Sequence, residues 1–64
     1  MCLSTVYLNK KEEDLIAARY VDSIKVLGNK IILTDVMGSE TEIEGRISYV
    51  DLTGGSVIIA SDRE

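Results

Sequence analysis

The sequence offers one thiol, Cys2, and no histidine anywhere in its 64 residues. Placed second in the chain, that thiol lies beside two nitrogens, the terminal amine and its own backbone nitrogen. The amide nitrogen and the thiolate of one residue close a five-membered ring on a metal. Two such units, one from each of two chains, supply two nitrogens and two sulfurs. That set suits a square-planar divalent ion such as nickel(II) or copper(II). One chain offers too few strong donors, so this chemistry requires a homodimer. A free cysteine also serves in many proteins as a small buried hydrophobe without chemistry, and residue type leaves both readings open.

The other polar side chains suggest less. Glu40, Glu42 and Glu44 alternate and so share one face of a strand. Three carboxylates on one face either bind a hard cation or form a solvated face. The serines have no histidine to activate them, so a Ser-His-Asp triad is excluded, as is a Cys/His zinc site within one chain. Gly54-Gly55 has neither a lysine nor a helix after it and reads as a turn, not a phosphate cradle. Tyr7, Tyr20 and Tyr49 are packing or interface groups, or stacking platforms for bases. No nucleophile–base pair can be assembled from these residue types, and an enzyme is not expected.

Composition narrows the partners. Seven Lys plus Arg stand against eleven Asp plus Glu, for a net charge of −4. The basic residues are scattered, and the Lys10-Lys11 pair runs directly into Glu12-Glu13-Asp14. Nucleic-acid and anionic-membrane binding both need a positive face, so both are disfavoured. No apolar run exceeds four residues, far short of a membrane span. The chain start lacks the basic and apolar regions of a secretory signal. With a single thiol, this points to the reducing cytoplasm.

The elements that must carry these residues have a period of two along most of the chain. Strands are expected over residues 3–8, 20–27, 30–35, 40–44, 47–52 and 56–60. Gly28-Asn29 is a two-residue hairpin signal, Gly38-Ser39 and Gly54-Gly55 mark further turns, and Gly45 permits a bend or bulge. Residues 9–14 read as a polar turn and 61–64 as a frayed polar tail. Residues 15–19 fit either one helical turn or a short extended edge. Asp22, Asp35 and Asp51 sit near strand ends, where turn chemistry accounts for them.

The fold expected is all-β: one domain over residues 1–64, a small curled antiparallel sheet or barrel of five to six short strands. Its expected core is Leu3 or Val6, Leu15, Ile24, Val26, Ile31, Leu33, Ile43, Ile47, Val50, Val57 and Ile59. A core this thin leaves a chain of this length marginal by itself, which again favours a dimer.

The motifs resemble one family. Met1-Cys2-Leu3-Ser4-Thr5-Val6-Tyr7-Leu8 is similar to the N-terminal signature Met-Cys-x-x-x-Val-Tyr-Leu of the small CooT-type proteins. Residues 32–40 resemble the family's Asp-Leu-Phe-Gly-Glu segment, with Val36-Met37 in place of Leu-Phe and Ser39 inserted before Glu40. Ile43-Glu44-Gly45-Arg46-Ile47 and Val50-Asp51-Leu52 match its Val-x-Gly-x-Ile and Ile-Asp-Leu stretches. The resemblance implies an SH3-like or Sm-like barrel and a homodimeric nickel-binding protein linked to maturation of carbon monoxide dehydrogenase. It implies nickel held at the dimer interface by Cys2 of each chain, which makes the protein a metallochaperone for a nickel-enzyme client. Members are also described as RNA-binding, so an Sm-like RNA module is the alternative, against which the charge stands.

Overall fold

The computed structural model describes residues 3–61. Cys2, on which the metal expectation rests, lies outside the described residues, as does the tail from residue 62. Five strands follow in order: β1 (Ser4–Leu8), β2 (Ile16–Leu27), β3 (Lys30–Asp35), β4 (Glu40–Asp51) and β5 (Ser56–Ser61). They close into one barrel in the order β1-β2-β3-β4-β5. Four pairings are antiparallel, as expected, and the closing seam between β1 and β5 is parallel, with Val6 opposite Val57 and Leu8 opposite Ile59.

Five strands close a barrel here because two of them, β2 and β4, are twelve residues long and strongly bent. The first part of β2 pairs with β1 and the second with β3. Likewise, residues 40–44 of β4 pair with β3, and from Gly45 onward β4 pairs with β5. Each bend is made by extra residues. Between Ala18 and Val21, β2 spends three steps against two on β1, and between Val21 and Ser23 it spends two against one on β3. β4 does the same between Ile47 and Tyr49 against β5. Such bulges sharpen the local twist and turn a strand from one sheet into the next.

Gly45 is the pivot of β4. Its N–H donates to the Asn29 carbonyl (2.8 Å), closing the β2–β3 hairpin end. A Cβ at this position would lie 2.4 Å from the Ala60 carbonyl oxygen and 3.0 Å from the Ser61 Cα. Backbone approach this close excludes any side chain, so the two sheet halves meet only because residue 45 has none.

The ambiguous residues 15–19 resolve into both alternatives in turn. Glu13–Leu15 is a single 3-10 turn, with the Leu15 N–H donating to the Glu12 carbonyl (2.9 Å). Ile16 to Arg19 are already strand. Ala17 and Ala18 favour helix intrinsically, but Ala18 pairs with Val6, and both alanines pack against the core. The two strands expected over 40–44 and 47–52 are one continuous β4 ending at Asp51. Ser61, expected in the tail, belongs to β5; its N–H donates to Asn9 Oδ1 (3.1 Å). Asn9 itself adopts φ 70°, a left-handed conformation that Asn tolerates.

The core is smaller than the sequence suggests. Val6, Val21, Ile31, Leu33, Val57 and Ile59 are buried, with Leu8, Ala17, Ala18, Ile24 and Ile43 packed partly against them. Val21 joins through the β2 bulges, which a strict period of two does not register. Val26 pairs with buried Ile31, yet remains 55% exposed because this part of β2 has no neighbour on its other side. Ile47 and Val50 are exposed on β4 for the same reason, and Leu3 lies at the rim. Leu15 is half-buried in the 3-10 turn.

Gly45→Ala should therefore be far costlier than a glycine replacement in an open turn. At Gly38, φ is +88° and nothing lies within 4 Å of an added Cβ, so Gly38→Ala carries only the left-handed penalty of ~1–2 kcal/mol. Gly45→Ala adds an overpacking cost of ~2 kcal/mol. Urea unfolding of the two variants would check this order; equal losses would remove Gly45 from its role.

Candidate metal centre

The chain enters the barrel beside the β4–β5 turn. The Leu3 carbonyl oxygen lies 3.3 Å from where a Gly55 Cβ would stand. The Thr5 N–H then donates to the Gly55 carbonyl (2.9 Å). Ser4 pairs with Val21 of β2 on the opposite side. The segment that carries Cys2 is thus joined to a chain start gripped by two neighbouring strands.

The turn that grips it is built by Asp51. Asp51 Oδ1 accepts from the N–H groups of Thr53 (3.1 Å) and Gly54 (3.0 Å), and its carbonyl accepts from the Gly55 N–H (2.8 Å). One aspartate thereby satisfies the backbone of a four-residue loop, and Gly55 supplies the φ of +70° that completes it. Asp35 does the same in the β3–β4 turn, accepting from Met37 N–H (2.9 Å) and Ser39 N–H (3.0 Å). Turn chemistry thus accounts for both residues, as expected. Asp22 differs: it sits on the bulge inside β2, not at a strand end.

Between β2 and the end of β4 the barrel leaves a cleft of about 240 Å³. Its lining is mostly apolar, from Val21, Ile24, Val50, Leu52 and Val57, and it also takes in Asp22, Ser23 and, at the chain start, Ser4. Leu52 is 86% exposed at its lip, and Leu3, Ile47, Tyr49 and Val50 are exposed on the same strands or rim. Apolar side chains gathered in this way on a small protein mark an interaction surface.

The remaining candidates do not converge. Glu40, Glu42 and Glu44 are all exposed on β4, opposite Thr34, Ile32 and Lys30 of β3. Glu42 pairs with Lys30 (3.3 Å), both side chains about half exposed. The row reads as the solvated face. Among the described residues, no three His, Cys, Asp or Glu side chains gather closely enough to hold a metal ion. Tyr20 and Tyr49 are exposed and Tyr7 is half-buried. None of the helices among the described residues is long and apolar enough to cross a membrane.

Tyr20 takes φ 57° on the β2 bulge, a region where a bulky side chain is an outlier and which costs about 1–3 kcal/mol. A glycine there would have flagged the bulge, and a tyrosine does not.

Asp51→Ala should loosen the turn while leaving the barrel folded. The Gly54 and Thr53 amides should exchange with solvent faster, by the ~1–2 kcal/mol that such bonds contribute. Glu42→Gln, which breaks only an exposed ion pair, should shift stability by less than ~1 kcal/mol. Hydrogen exchange and denaturation of the two variants would test this, and unchanged Gly54 exchange in Asp51→Ala would count against the turn's role.

No curated protein matches the chain. The family model for the CO dehydrogenase accessory protein CooT matches residues 1–60, nearly the whole sequence. On this match the chain belongs to the CooT family of CO dehydrogenase accessory proteins.

Proposed function

We propose that this protein is a homodimeric nickel-binding metallochaperone that serves a nickel-enzyme client of the carbon monoxide dehydrogenase type. In this reading, Cys2 of each chain supplies a thiolate and a backbone nitrogen to one nickel(II) ion. The observation that carries it is the position of the only thiol. The sequence has a single cysteine and no histidine, and that cysteine falls in the Met-Cys-x-x-x-Val-Tyr-Leu start of a chain belonging to an accessory family for CO dehydrogenase. Nickel(II) accepts a planar set of two nitrogens and two sulfurs, and two copies of this chain start supply it.

Two features support the dimer. Among the described residues the buried core consists of six side chains without an aromatic, a small reserve for a chain of this size. The exposed apolar side chains Leu3, Val50 and Leu52 lie around the point where the chain enters, so burying them against a second copy would bring the two starts together. Nickel as transferred cargo also fits the absence of any need for a nucleophile or base.

Cys2→Ser tests the reading. Titration calorimetry should give tight nickel binding at one ion per dimer for the wild type and a loss of at least a hundredfold for the variant. Light scattering should show both as dimers. Unchanged nickel affinity in Cys2→Ser contradicts the assignment. Because protons compete with nickel for the thiolate, wild-type affinity should also fall as the solution is acidified.

A further inference from the structure

A second cleft, of about 690 Å³, opens at the far end of β1 from the chain start. Leu8, Leu15 and Ile43 form its apolar part, and Asn9, Lys30, Glu42, Glu44 and Ser61 its polar part. It lies against a strand edge. Residues 40–44 of β4 pair with β3 on one side, and β5 takes up the other side only from Gly45, opposite Ser61. Among the described residues, no strand pairs with 40–44 on that second side. The Gly45 N–H donates to the Asn29 carbonyl (2.8 Å) at one end of the β3–β4 ladder, and the Asp35 N–H donates to the Ser39 carbonyl (3.0 Å) at the other. Antiparallel pairing alternates, so Ile43 and Thr41 exchange hydrogen bonds with Ile31 and Leu33 between those ends. Glu40, Glu42 and Glu44 therefore turn their backbone N–H and C=O groups to the open side. An edge of this kind is a template for one more strand.

We infer that the open edge of β4 at Glu42 and Glu44 takes an extended segment of a partner protein as an added strand, with basic residues at alternate positions and apolar ones between. Charge and register choose this occupant. Glu42 and Glu44 are exposed and line the cleft. Lys30 offsets only one of them, through its pair with Glu42 (3.3 Å), and Glu44 has no ion-pair partner among the described residues. A basic residue directly opposite each carboxylate complements it. The residue between them stands opposite half-buried Ile43 and faces the apolar part of the cleft. Segments of this chain fit poorly. A two-fold pairing of the edge with a second copy would set the glutamate row against itself. Continuing the β5 register past Ser61 would set Asp62 opposite Glu44 and Glu64 opposite Glu42, and like charges directly opposite destabilise a pair. The edge is thus guarded against self-association and open to a basic strand. The inference does not depend on the metal reading, because the chain enters at the other end of β1.

The test is an NMR titration of the full chain with a capped peptide of alternating lysine and valine, Lys-Val-Lys-Val-Lys. Two further peptides are run beside it: one with N-methylated lysines, which keeps the charge and removes the pairing donors, and one with glutamate in place of lysine. The lysine peptide should bind, and the Glu42 and Glu44 amides should gain protection from solvent exchange while that of Ile43 changes little. The N-methylated peptide should bind at least tenfold more weakly, and the glutamate peptide not at all. The double variant Glu42→Gln/Glu44→Gln loses only an exposed ion pair and keeps the fold; it should bind the lysine peptide at least tenfold more weakly than wild type. Equal binding of the plain and N-methylated peptides overturns the inference by reducing it to charge attraction. No binding of the lysine peptide at millimolar concentration overturns it, as does protection that appears on β2 and not at Glu42 and Glu44.

Discussion

The barrel depends on a contact that only glycine allows. β4 leaves β3 and joins β5 at residue 45, where its backbone meets the Ala60 carbonyl at a distance that admits no Cβ. Without that approach, β4 could not belong to both sheet halves. The parallel seam between β1 and β5 would then have no reason to form, since β5 is placed by β4. The chain start is positioned through the same seam and through the turn that Asp51 organises. A backbone contact in the middle of β4 and a carboxylate at its end therefore jointly set where the chain enters β1.

Closing so short a chain leaves its long strands only partly covered. β2 and β4 each serve two partners, and beyond each crossover one side of the strand has no neighbour. Val26, Ile47 and Val50 occupy those stretches, which is why residues with inward parity remain exposed. Uncovered strand and apolar surface are costly for a monomer. They become useful if other proteins cover them. On this account the small core and the apolar surface around the chain start have one origin, the small number of residues from which the barrel is closed.

The parts legible in the sequence were those set by local chemistry. The Gly28-Asn29 hairpin and strand β3 follow from turn residues and apolar patterning, and the outward row of Glu40, Glu42 and Glu44 follows from strict alternation. The parts that were not legible are the bulges. Each inserts one residue and reverses parity downstream, so Val21 enters the core against the simple pattern. Tyr20 hides its bulge because the left-handed position there is not filled by glycine. Ala17 and Ala18 read as helix formers because their role, fitting against Val6, is tertiary. Cys2 is a candidate donor on residue type and position alone, and it lies outside the described residues.

The central claim is that two Cys2 thiolates share one nickel ion, and the coordination sphere itself tests it most directly. Nickel K-edge absorption spectroscopy of the loaded protein should show a planar site with two sulfurs at about 2.3 Å, the usual metal–thiolate distance, and two lighter nitrogen donors. A six-coordinate sphere of oxygen and nitrogen atoms without sulfur would contradict it.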